Sequence, residues 1–188
     1  VLPAPDMNPV DAAPLTDAAL TPYRAIERAR EHLTPADSIV LVGIGGLGQF
    51  GVQFASMTGA QVVAVDQDPA KLAVAERLGA DVTIDASSGN VPLAIKDAVG
   101  EVAVAVDFVG KDVTLQWCWN VLGTGGQLFI VGIGGGSYEL AFNPLMGSEI
   151  GAANVYWGSI NQLRDVLDLA RADRLDVAAE PVGFDDLT

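Results

Sequence analysis

The sequence predicts a doubly wound α/β fold, a parallel sheet of about six strands with helices on both faces. Two observations carry that expectation. Ser38–Val42, Gln61–Val65, Val102–Val106 and Leu128–Val131 are short runs that are apolar at nearly every position. Such runs suit strands covered on both faces, whereas a half-exposed strand alternates. Between them lie segments in which apolar residues recur every three to four positions, the period of an amphipathic helix. Strand and helix therefore alternate along the chain, and right-handed crossovers place the helices on both sides of the sheet.

Taken in order, residues 1–22 are rich in Pro and Ala and read as an incoming connection. Thr21-Pro22 opens a helix that runs to about Leu33, because proline is pre-organised for a first helical turn. Thr34-Pro35-Ala36-Asp37 is a turn, and the first strand follows it. Leu47, Phe50, Phe54 and Met57 form the stripe of the next helix. Leu72, Ala75 and Leu78 form another, ended by Gly79 at a C′ position. Residues 111–122 and 159–172 supply two more helices, and a strand near 150–156 is expected at the open edge of the sheet.

Composition removes several functions. The net charge is −14, with 17 Asp against 3 Lys, so neither nucleic acid nor an anionic membrane is an expected partner. A halophilic source and a merely acidic mesophile both account for the excess of aspartate. The apolar runs are too short to span a bilayer, no signal peptide is visible, and a cytoplasmic protein is expected. Cys118 is the one cysteine, so no internal disulfide forms; between Trp117 and Trp119 it reads as a buried structural thiol. The chain begins at Val1 and not Met, and is expected to be a piece of a longer or processed protein.

The chemistry concentrates at Gly43-Ile44-Gly45-Gly46-Leu47-Gly48, which leaves the first strand and opens the first sheet-packed helix. G-x-G-x-x-G is a weak pattern alone, but strand before and helix after are the context it needs. Gly43 makes the tight turn, Gly45 lets backbone approach a pyrophosphate, and Gly48 lets helix and strand pack closely. The helix N-terminus offers free N–H groups to phosphate. Asp66 ends the second strand, 18 residues past Gly48. A carboxylate there accepts the adenosine ribose hydroxyls and repels a 2′-phosphate, which favours NAD over NADP. The plainer readings are a tight βα turn with nothing bound, and an Asp66 that merely caps the helix at Pro69, a role that Asp68 fills better.

The chain resembles the coenzyme domain of medium-chain, zinc-dependent alcohol dehydrogenases, in particular bacterial NAD-dependent secondary alcohol dehydrogenases. The matching stretches are PLTDAALTPYRAI (14–26), VLVGIGGLGQFGVQFA (40–55), VVAVDQDPAKLAVAERLGAD (62–81), VDFVG (106–110), GGQLFIVGIGG (125–135) and VYWG (155–158). The resemblance implies a Rossmann domain over 35–180, an entry segment and helix over 1–34, and a truncated return segment over 181–188. It implies that Lys71 lies near the adenosine ribose, and that Phe108 and Val109 contact the cofactor. Val131, Gly132 and Ile133 would meet the nicotinamide, with Val155 and Trp157 near its amide. It also places Asp17 where the family carries the third protein ligand of the catalytic zinc, a Cys or an Asp. A carboxylate suits that role; the plainer alternative is that Asp17 merely caps a short helical turn in the entry segment. The implied parent reaction is oxidation of a small alcohol to a ketone or aldehyde, with zinc polarising the oxygen and hydride passing to NAD. The family's N-terminal catalytic domain is missing from these residues, so no catalytic residue is assigned within the chain and the chain alone is expected to be inactive. A homo-oligomer through the edge near 150–156 is expected.

Three other features are read conservatively. Gly132-Ile133-Gly134-Gly135-Gly136 looks like a second phosphate loop, but the extended Ser137-Tyr138-Glu139-Leu140 follows it. His32 sits near the end of a surface helix in a solvated or capping role. Asp107 reads as a structural carboxylate bonded to backbone N–H groups. The rival functions are a zinc-free NADPH enone or quinone reductase, a non-catalytic NAD-sensing domain and, more remotely, a methyltransferase-type domain.

Overall fold

A computed structural model gives the structure at residues 2–87, 89–140, 147–179 and 182–183. Six strands form one parallel sheet: β1 (Ser38–Val42), β2 (Gln61–Asp66), β3 (Val82–Asp85), β4 (Val102–Asp107), β5 (Leu122–Ile130) and β6 (Gly151–Asn154). Their spatial order is β3-β2-β1-β4-β5-β6, so the winding reverses between β1 and β4. At such a reversal the flanking connections diverge and leave a crevice at the carboxyl ends of the strands.

All five residues of β1 are buried, and their side chains divide between two cores. Ile39 and Leu41 join Ile26, Phe50, Phe54 and Val104 on one face. Val40 and Val42 join Val63, Val65, Ile95 and Cys118 on the other. Alternate side chains enter opposite cores, so Ile39 to Val42 are apolar at every position, while Ser38 at the strand start donates its hydroxyl to the Gln61 side chain at 3.3 Å. The first face is covered by α2 (Leu20–Arg30), α3 (Gly46–Ser56), α4 (Pro69–Leu78) and α7 (Ile160–Arg171). The second is covered by α5 (Val91–Val99) and α6 (Asp112–Val121). Among the described residues no helix is long and apolar enough to cross a membrane.

The expected elements are present, with shifts at their ends. The entry helix starts at Leu20 and stops at Arg30. The stretch before it, expected to be a plain connection, holds the short α1 (Pro9–Ala12), capped by the Asn8 side chain, and a 3-10 turn at Ala13–Thr16. Asp68 caps α4 by accepting the Ala70 N–H at 2.9 Å, and Gly79 ends it with φ +110°. β3 and α5 have no counterpart among the elements read from sequence, and β5 starts at Leu122 and not at Leu128. Apart from Val182 and Gly183, the expected return segment 181–188 lies outside the described residues.

Candidate functional site

The glycine loop occupies the crevice between β1 and β4. Gly43 leaves β1 with φ +90°, and its N–H donates to the Val65 carbonyl at 2.8 Å. A Cβ on Gly43 would stand 2.5 Å from Val109 Cγ2. A Cβ on Gly48, one turn into α3, would overlap the Gly43 carbonyl oxygen. Strand end and helix start therefore meet at a distance that only glycine allows. Gly45 and Gly46 are different: a Cβ there would meet open space. No described group accepts from the amides of Gly46, Leu47 and Gly48, and no side chain caps α3. Free N–H groups at a helix start, aimed into a hollow, suit an anion.

That hollow is a cleft of about 540 Å³. Nine of the residues read from sequence line it: Gly43, Gly45, Gly46, Leu47, Gly48, Asp66, Lys71, Phe108 and Val109. Asp66 is buried at the end of β2, and each carboxylate oxygen takes one backbone N–H, from Ile44 at 2.7 Å and from Asp68 at 3.0 Å. The Ile44 side chain is buried in the first core and is not among the residues that line the cleft. A carboxylate oxygen has two acceptor sites, so both oxygens of Asp66 keep capacity for further donors.

The opposite wall is the first turns of α6, through Lys111, Val113, Thr114 and Trp117. The sequence places a helix there but does not orient it. The signal that could have done so is the helical spacing of Val113, Thr114 and Trp117 immediately after the β4 turn. Asp107 holds this wall in place. It is fully buried, accepting the Val109 N–H at 2.8 Å, the Gly110 N–H at 3.0 Å and the Thr114 hydroxyl at 2.7 Å. Cys118, on the same helix, is fully buried, and burial first, then the charge of Asp107, pushes its thiol well up. A thiol held protonated is a poor nucleophile.

The remaining residues read from sequence continue along the strand ends without lining the cleft. The Val131 and Gly132 N–H groups both donate to the Asp107 carbonyl at 2.9 Å, and Gly134 N–H donates to the Val109 carbonyl at 3.0 Å. The second glycine run is therefore laced to the β4 turn by backbone bonds, with Ile133 almost fully exposed above it. Val155 is buried where the chain leaves β6, and Trp157 is half exposed. The Trp157 indole reaches the Thr16 carbonyl at 3.0 Å, which brings Asp17 to the same end of the sheet. Asp17 is exposed, and its carboxylate makes no hydrogen bond among the described residues, so it caps nothing there. No group of three or more metal-binding side chains occurs among the described residues, so Asp17 could serve only as one ligand of a shared site. His32 is exposed, with its ring 6.2 Å from that of Phe129, and it does not line the cleft.

The family model for zinc-binding dehydrogenases matches residues 46–172. An NAD-dependent alcohol dehydrogenase of Saccharolobus solfataricus is 33% identical over 175 residues, 90% of this chain and 49% of that protein. The crystal structure of the alcohol dehydrogenase of Aeropyrum pernix superposes with a TM-score of 0.86 at 35% identity, over 93% of this chain and 52% of that one. Acetophenone reductase of Geotrichum candidum, solved in complex with NAD, superposes with a TM-score of 0.88 at 29% identity, over 99% of this chain and 52% of that one. The chain thus spans about half the length of the relatives it matches. Matched by the family model over 46–172 and superposing on these relatives across most of its length, this protein belongs to the zinc-binding dehydrogenase family.

Proposed function

We propose that this chain is the NAD-binding part of a zinc-dependent alcohol dehydrogenase that interconverts a small alcohol and its ketone or aldehyde. The observation that carries the cofactor is Asp66, a buried carboxylate at the end of β2 on the wall of the glycine cleft. Its position supports ribose hydroxyls as donors and opposes a 2′-phosphate. The open amides at the start of α3 favour the pyrophosphate, and Lys71 favours the ribose edge. Val131, Gly132, Ile133, Val155 and Trp157 are proposed to seat the nicotinamide end. Asp17 is proposed as one zinc ligand, the others belonging to a part of the parent outside this chain. Held there, zinc would supply a Lewis acid for the substrate oxygen and the nicotinamide an acceptor for hydride from the carbinol carbon. The unit is proposed to run from about 35 to 180, with 1–34 as entry and 181–188 as return. A homo-oligomer through β6 and a cytoplasmic setting complete the proposal.

Calorimetric titration of the chain with NADH and NADPH tests it. NADH is expected to bind at least ten-fold more tightly than NADPH, and Asp66→Ser is expected to abolish that preference. Equal or tighter binding of NADPH would overturn the reading in favour of an enone or quinone reductase.

A further inference from the structure

Asp17 follows the Ala13–Thr16 turn and precedes α2. Its carboxylate is free among the described residues, yet the backbone around it is firmly held. Ala19 N–H donates to the Pro14 carbonyl and Thr21 N–H to the Asp17 carbonyl, both at 3.1 Å. Two further restraints come from the connection that follows β6. Trp157 Nε1–H donates to the Thr16 carbonyl at 3.0 Å, across 141 residues of sequence. Gly158 lies so close to α2 that a Cβ on it would stand 2.6 Å from Leu20 Cδ1. Residues 157–158 therefore grip the segment on both sides of Asp17.

Trp157 adopts φ +51° to make this contact. That region is unfavourable for a bulky side chain and persists where the surroundings enforce it. Its ring is half exposed, so burial explains little of its placement.

We propose that Trp157 is a positioning residue for Asp17. Hung from the end of β6, its indole fixes the backbone from which the Asp17 carboxylate is presented to a divalent metal ion. The proposal rests on the reading of Asp17 as a metal ligand. A ligand on a fixed backbone loses less conformational freedom on binding than one on a loose turn, so the same carboxylate binds more tightly.

The test uses the full-length parent protein, stripped of metal and titrated with cobalt(II), whose visible absorption reports its coordination. Trp157→Phe keeps an aromatic ring and removes the donor. Cobalt affinity is expected to fall about five-fold, the worth of one hydrogen bond, at a temperature where the variant is fully folded. The amides of Ala19 and Thr21 are expected to exchange with solvent faster. Gly158→Ala, which pushes Leu20 away, is expected to weaken cobalt in the same direction and serves if Trp157→Phe does not fold. Unchanged cobalt affinity in these variants overturns the positioning role. Asp17→Asn, measured in parallel, separates the two readings: if it binds cobalt as tightly as the unaltered protein, the ligand reading itself fails. If it loses cobalt while Trp157→Phe does not, only the positioning role fails.

Discussion

At the scale of single residues, the glycine loop contains two kinds of glycine that a sequence pattern treats alike. Gly48 is required by the fold, because any side chain there would overlap the Gly43 carbonyl. Gly48→Ala is expected to cost about 2–3 kcal/mol of stability by overpacking, read as a lower urea midpoint. Gly45 opens on the cleft, so Gly45→Ala is expected to cost about 1 kcal/mol or less while weakening NADH at least ten-fold. If both variants lose stability equally, Gly45 has no separate part in the cofactor cleft. Tyr23 offers a test by pH. Its hydroxyl is pushed up to about 12, by burial first and then by the charges of Glu27 and Asp165. An unfolded tyrosine ionises near pH 10. Between these values the folded chain keeps a proton that the unfolded chain has lost, so stability falls as pH rises above about 10. Tyr23→Phe is expected to flatten that decline in urea titrations at pH 9, 10 and 11. An unaltered slope would mean that the phenol titrates alike in both states.

At the scale of elements, the join between β4 and α6 carries one wall of the cleft. The Thr114 hydroxyl donates to Asp107 and accepts the Lys111 N–H at 3.0 Å, tying strand end to helix start. Thr114→Val leaves a buried carboxylate short of a donor and is expected to cost about 2 kcal/mol in chemical denaturation. Sequence reading reached this wall only in part. Asp107 was legible as a structural carboxylate because it ends an apolar run. The orientation of α6 was not, since Trp117 and Trp119 look alike in sequence while only Trp117 lines the cleft. β3 is short and only partly buried, so Val82–Asp85 lacks the continuous apolar run that marked the others. α5 did carry signals, an Asn90 cap bonded to the Leu93 N–H, a proline in the first turn and a Val91, Ile95, Val99 stripe, but its 9 residues give that stripe little length. The front of β5, Leu122-Gly123-Thr124-Gly125-Gly126, reads as a turn, and there the ladder does break: Leu122 pairs with Val102 and Gln127 with Val104, so the residues between bulge out, with Gly125 at φ +77°. β6 was legible as an edge, and it offers a prediction of its own. Val155 N–H donates inward to the Ile130 carbonyl at 2.8 Å, so alternation turns Ala152 and Asn154 outward. Arg28 already takes the Asn154 carbonyl at 3.2 Å, which leaves Ala152 as the open ladder position. Ala152→Pro is expected to keep the fold and dissociate an assembly built on β6, as sedimentation would record. An assembly of unchanged mass would place the contact elsewhere.

At the scale of the whole molecule, charge is the feature that neither fold nor cleft uses. Twenty-four acidic side chains face ten basic ones. Arg171 is shared between Asp6 and Asp168, Arg77 pairs with Asp176, and Arg30 pairs with Glu27, all at positions open to solvent. Exposed pairs of this kind contribute about 0–1 kcal/mol each. They leave most of the carboxylates to repel one another, and compaction raises that repulsion. Added salt should therefore stabilise the chain, and the form of its dependence separates the two origins of the acidity. Screening shortens the Debye length from about 10 Å at 0.1 M to about 3 Å at 1 M, so relief of repulsion is nearly complete by then. A merely acidic protein is expected to gain thermal stability up to about 1 M KCl and then level off. A surface adapted to high salt is expected to keep gaining beyond that point, because hydrated carboxylates go on recruiting solvated cations after the long-range field is gone. Melting curves from about 0.1 to 3 M KCl decide between them, and a midpoint that does not rise at all would mean that the −14 charge is too dispersed to strain the fold.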